Sequence, residues 1–151
     1  MPTVIEPQNR PKLFRYATTL DRDGVRIIQQ QFIAIAETRC YYFVVNEETN
    51  RNVLDADLRA VMAGGPMPKR IFGYPVRKVM KRAARSFCFE DPIIAWNSFR
   101  ARQEMRLWKL QVQMAQAEKA LEYIGQNPHN PPSEMPLGHT EFTEDLNWNE
   151  Y

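Results

Sequence analysis

Groups able to carry out catalysis are scarce in this 151-residue chain. Only two histidines occur, His129 and His139, and both lie in a proline-rich stretch that holds a general base or a metal ligand poorly. That argues against a histidine-dependent enzyme. The two cysteines, Cys40 and Cys88, are far apart and flanked by aromatics, so they form neither a disulfide framework nor a metal-binding spacing, and they read as buried free thiols. No GxxxxGK(S/T), GxGxxG, GxSxG, HExxH or CxxC string occurs, and Gly64-Gly65 runs into Pro66 and Met67 rather than into a phosphate loop. Acids beside predicted strands are limited to Glu37 and the pair Glu90-Asp91, which disfavours a carboxylate dyad. These absences together predict a protein that is not an enzyme and needs no cofactor. No apolar run approaches the roughly 18 residues of a membrane span, and MPTVIEPQNRPK lacks the apolar core of a signal peptide, so a cytoplasmic chain without membrane contact is expected.

The composition, 44% hydrophobic and 25% charged, is that of a globular chain and predicts one domain over residues 1–125. Residues 1–23 read as an irregular arm: three prolines, the cluster Asp21-Arg22-Asp23 and no sustained period end in a turn at Gly24. Val25–Ala36 and Arg39–Asn46 are rich in β-branched and aromatic residues, and the short Glu37-Thr38 link between them predicts a hairpin. Both faces of the first strand carry apolar residues, as expected of a sheet covered on both sides. A polar turn over 46–52 precedes a short helix that Asp55 can cap, with Leu58, Val61 and Met62 on its apolar side and Gly64-Gly65-Pro66 as its stop.

The net charge of +2 conceals an uneven distribution. Between Arg59 and Phe89 every charged residue is basic: Arg59, Lys69, Arg70, Arg77, Lys78, Lys81, Arg82 and Arg85. Within that stretch 76–84 fits helix or strand, while Ser86–Phe89 reads as strand. Asp91 as N-cap and Pro92 as first helical residue open a long helix with no further Pro or Gly until Gly125, the expected C′ residue. Trp96, Leu107, Leu110, Met114, Ala117, Leu121 and Ile124 fall on one heptad seam, and Met105, Trp108, Val112 and Ala115 on a second stripe. Two stripes predict that the 92–125 helix packs on the sheet with one and on a partner subunit with the other, giving a homo-oligomer. Residues 126–151 read as a Pro-rich acidic tail in which Phe142, Leu146, Trp148 and Tyr151 interleave with acids. The fold class is therefore α+β: an N-terminal antiparallel sheet, a long C-terminal helix and an irregular acidic tail.

Arginines beside aromatics form the one constellation that suggests a ligand. Arg39-Cys40-Tyr41-Tyr42-Phe43, Arg85-Ser86-Phe87-Cys88-Phe89 and Trp96-Asn97-Ser98-Phe99-Arg100-Ala101-Arg102 converge if the helix folds back over the sheet. Guanidinium groups grip phosphate bidentately and aromatic faces stack on bases, so Arg39, Phe89, Asn97, Arg100 and Arg102 are the candidate ligand-binding residues. The succession ETRCYYFVVNE, RKVMKRAARSFCFEDPIIAWNSFRARQ and a long amphipathic helix resembles small tailed-phage accessory proteins over residues 30–125. One subset of these, the anti-Thoeris proteins, is similar in size and element order. That resemblance implies a phage anti-defence protein that sequesters a cyclic ADP-ribose-type signal through arginines, an aromatic and an asparagine in the host cytoplasm. The expected partner is thus a small phosphorylated nucleotide; the alternative is an interaction module that acts on a host protein through its acidic aromatic tail or its basic face. Nucleic acid is the weakest candidate, because the acidic tail would compete with it for the basic run.

Overall fold

The computed structural model describes residues 1–142, and its fold is α+β. The expected tail residues Leu146, Trp148 and Tyr151 lie outside the described residues. The chain divides into two compact units, Met1–Ala101 and the residues from Arg102 on, where the sequence predicts one domain to residue 125. Beyond Phe99 no residue of the long helix is fully buried.

In the first unit the strands β1 (Thr3–Val4), β2 (Lys12–Asp21), β3 (Gly24–Glu37), β4 (Tyr41–Asn46) and β7 (Arg77–Met80) form one antiparallel sheet. Strand β3 is its spine: β1 and β2 pair with it on one side, β4 on the other, and β7 lies beyond β4 as the terminal strand. The irregular arm expected over 1–23 is corrected by β2, whose ten residues pair in register from Lys12↔Ile33 to Asp21↔Gly24 across a two-residue turn. Gly24 takes φ +109° there, a conformation that glycine adopts without cost, and the Asp21 carboxylate accepts from the Asp23 N–H at 2.9 Å. The β3–β4 hairpin forms as expected. Its turn is closed by Thr38, whose N–H donates to Tyr41 O at 2.8 Å and whose hydroxyl accepts from Tyr41 N at 3.1 Å.

Alternation along β3 and β4 feeds two cores, one on each sheet face. Ala34 and Val44 join Leu13, Val79 and Cys88 on one face, while Ile35 and Val45 join Leu58 and Ile71 on the other. The covers differ in origin. The second face is closed by helix α1 (Glu47–Asn52), a 3-10 turn at Asp55–Leu58, helix α2 (Arg59–Met62) and the hairpin of β5 (Arg70–Ile71) with β6 (Tyr74–Pro75). The expected polar turn at 46–52 is thus helical, because the Asn46 side chain accepts from Thr49 N at 2.7 Å. Asp55 is not the cap of the next turn; Leu54 occupies that position, and its N–H donates to the Asp57 carboxylate at 2.8 Å.

The first face is closed by the chain that returns from β7 to the long helix. Residues 76–84 resolve into β7 followed by a turn, and the strand expected at Ser86–Phe89 shrinks to a single bridge, Phe14↔Phe89. Phe87 and Cys88 turn inward here to fill the core, so the segment cannot keep a strand's regular pairing. The helix α3 (Pro92–Gln126) then starts as expected, with Asp91 Oδ1 accepting from Ile93 N at 2.8 Å. Its first turns belong to this unit: Ala95 and Phe99 are buried, and Trp96 meets Tyr16 edge-on at 4.9 Å between ring centroids.

In the second unit α3 continues through Gly125, which was expected as the C′ residue; Asn127 ends the helix instead, its N–H donating to Tyr123 O at 2.9 Å and its side-chain amide to the same oxygen at 3.2 Å. The following segment has no regular structure, as its prolines dictate. Lys119 Nζ donates to Leu137 O at 3.3 Å, which brings this segment back beside the helix.

Candidate functional site

The expected ligand residues do not assemble around Arg39. Arg39 sits exposed in the β3–β4 turn, whereas Phe89 is bound edge to edge with Phe14, whose β3 neighbour is Gln31. Asn97 and Arg100 are exposed on the first turns of α3, and Arg102 belongs to the second unit, where burial lowers its guanidinium pKa. Arg39 belongs to the turn before β4 rather than to the strand expected to carry it. Phe89 does line a cavity of about 190 Å³ with Leu13, Tyr42, Lys81 and Glu90. That volume is below the range of small-molecule pockets, and its polar groups are already engaged: Tyr42 donates its hydroxyl proton to Glu90 at 3.2 Å, and Lys81 pairs with Glu37 at 2.6 Å. Burial first, and then the Glu90 and Glu37 charges, push the Tyr42 phenol up to about 12.

A larger cavity of about 690 Å³ lies between the N-terminal residues and α2. Its one arginine, Arg10, is committed to the protein: Nε donates to Ile5 O and Nη1 to Asn50 Oδ1, both at 2.9 Å. Burial lowers the Arg10 pKa and Asp55 opposes that shift, so the cavity carries its own counter-charge. It is not built for an anion.

The arginine–aromatic chemistry occurs elsewhere, on the sheet face closed by Phe87. The register Leu13↔Phe32, Arg15↔Gln30 places Arg15 on the same face as Leu13, and Val44↔Arg77 places Arg77 there from β7. The two guanidinium carbons lie 4.3 and 4.2 Å from the Phe87 ring centroid, well within cation–π range. Arg15 Nη1 also donates to Phe87 O at 2.8 Å, and Phe32 meets Phe87 edge-on at 5.1 Å. The ring is therefore held from the core side while it orients both cations. On β7 and in the turn after it the pattern repeats with lysines, Lys78 Nζ lying 4.1 Å from the Tyr41 ring and Lys81 Nζ 4.7 Å from Tyr42. Of the eight basic residues between Arg59 and Arg85, Lys81 alone has a carboxylate partner among the described residues. Arg77, Lys78, Arg82 and Arg85 are exposed, so the β7 margin is a positive surface whose charges are not neutralised locally.

The sequence signal for this site was partial. Arg85-Ser86-Phe87-Cys88-Phe89 was the right segment, but Phe87 rather than Phe89 takes the cations, and its partners Arg15 and Arg77 lie 72 and 10 residues away. Beneath the site, burial pushes the Cys88 thiol up to about 12 against the opposing charges of Arg15 and Arg77, so it stays protonated at neutral pH and is no nucleophile. The other thiol, Cys40, is exposed, contrary to the expectation that both are buried. Among the described residues no cluster of His, Cys, Asp and Glu could hold a metal, and no helix is long and apolar enough to cross a membrane. No protein-family model matches this chain, and neither the curated proteins nor the solved structures give a match.

Proposed function

We propose that this chain is a non-catalytic binding protein that holds a small phosphorylated nucleotide on the arginine–phenylalanine face of β7. The observation that carries the reading is the stacking of Arg15 and Arg77 on Phe87 beside exposed cations that lack carboxylate partners. Arg15 is engaged with Phe87 O, whereas Arg77 is exposed beside the ring and can offer its guanidinium N–H groups to a phosphate. The protonated state of Cys88 and the exposed positions of His129 and His139 support binding rather than turnover. In this reading the anti-defence role implied by the phage resemblance is sequestration: the ligand is withdrawn, not converted. Titration calorimetry with ADP-ribose and with a cyclic dinucleotide tests it, and micromolar or tighter binding is the expected result.

A second reading is favoured by one specific observation. Strand β7 is the terminal strand of the sheet, and its exposed Lys78 flanks that edge, an arrangement suited to an acidic segment of another protein added as a further strand. Failure of every phosphorylated nucleotide to bind puts this interaction-module reading first.

A further inference from the structure

Among the described residues nothing covers the heptad seam of α3 from Leu107 to Ile124. Leu107, Leu110, Met114, Leu121 and Ile124 are between 51 and 66% exposed, and Ala117 is exposed with them. The opposite side of the helix, with Trp108, Val112, Ala115, Lys119 and Tyr123, is half-buried, and there Lys119 holds the returning segment through Leu137 O. At about 100° per residue the two stripes lie nearly back to back, so the returning segment is anchored away from the seam.

We propose that a second copy of this chain covers the seam, the two helices running antiparallel about a two-fold axis between Met114 and Ala117. Two features of the helix fix the occupant and its direction. The first is the spacing of the six seam residues from Leu107 to Ile124, 3-4-3-4-3, which is symmetric about that point. An antiparallel copy therefore sets Leu107 against the partner's Ile124, Leu110 against the partner's Leu121 and Met114 against the partner's Ala117, leaving none of these six unmatched. The second is charge: Arg106 and Lys109 make the start of this stretch basic, while Glu118 and Glu122 make its end acidic around Lys119. Antiparallel packing sets basic half on acidic half; parallel packing sets like on like. Pairing over 107–124, about 26 Å of helix, buries on the order of 1,000 Å² in total, the size at which specific interfaces begin.

Light scattering tests the assembly, and disulfide trapping tests its direction. The expected mass rises towards twice 17.7 kDa as the chain is concentrated to about 100 µM. Leu110→Glu, at an exposed position, should keep the circular dichroism spectrum of the fold and weaken association about a hundredfold. In a Cys40→Ser background, Leu110→Cys with Leu121→Cys should give a covalent dimer under mild oxidation, while each single substitution should not. The pair lies eleven residues apart on one helix, too far for a bridge within a chain. A mass of 17.7 kDa throughout overturns the proposal and leaves the seam to a different protein; covalent dimers from Leu110→Cys alone overturn the antiparallel arrangement.

Discussion

Phe87 joins the first core to the two arginines, and its replacement has a calculable cost. The ring is half-buried against the Leu13–Val79 core, so truncation to alanine loses about half of the 3–5 kcal/mol typical of a fully buried phenylalanine, or about 2 kcal/mol. The edge contact with Phe32 adds about 1 kcal/mol. Each stacked arginine adds about 0.5 kcal/mol, the lower end of the range because the site faces water. The total is about 4 kcal/mol, which in a unit of this size lowers Tm by on the order of 15–20 °C. Phe87→Leu keeps most of the burial and loses the ring chemistry, so it should cost about half as much. Thermal and urea unfolding by circular dichroism give both values. A double-mutant cycle with Arg77→Ala isolates the stacking, with an expected coupling of about 0.5–1 kcal/mol. Additive single effects in that cycle, or a Phe87→Leu variant as stable as the parent, would refute the claim that the ring orients the arginines.

Other expectations concern the thiols and alkaline pH. An aromatic disulfide reagent should titrate one thiol per native chain, the exposed Cys40, and a second only after denaturation; rapid reaction of both would contradict the burial of Cys88. The Cys88 thiol and the Tyr42 phenol both have folded pKa values raised to about 12, from ordinary values of 9.0 and 10.0. Between pH 9 and 12 the unfolded chain therefore binds fewer protons than the folded one, and stability falls as pH rises through that window. Tm measured from pH 8 to 11 should decline, and a flat profile would show that these groups are open to water.

What could be read from the sequence was what local chemistry decides. The β3–β4 hairpin carries β-branched residues on both faces, and α3 carries its own cap at Asp91 and no breaker for over thirty residues. Strand β2 was hidden because KLFRYATTLD is mostly half-buried, shows little contrast between its faces and is made a strand by pairing with β3. The Arg22-Asp23 turn, followed by Gly24, was its available signal. The candidate site suffered in the same way. Phe87 and Arg85 were visible as neighbours, but Arg15 reaches the ring from another strand, and the choice between Phe87 and Phe89 depended on which of them turned into the core. Gly125 misled for a different reason: the helix ends on Asn127, whose amide and backbone N–H both serve the Tyr123 carbonyl.

On the proposed function, the β7 face and not the start of α3 takes the phosphorylated ligand. Calorimetric titration of ADP-ribose into the parent chain, Arg77→Ala and Asn97→Ala tests it in one series. Losing one charge-assisted contact costs about 1.5–3 kcal/mol, so Arg77→Ala should bind roughly tenfold to a hundredfold more weakly while Asn97→Ala, exposed on α3, matches the parent. Unchanged binding by Arg77→Ala, with loss in Asn97→Ala, would contradict the account.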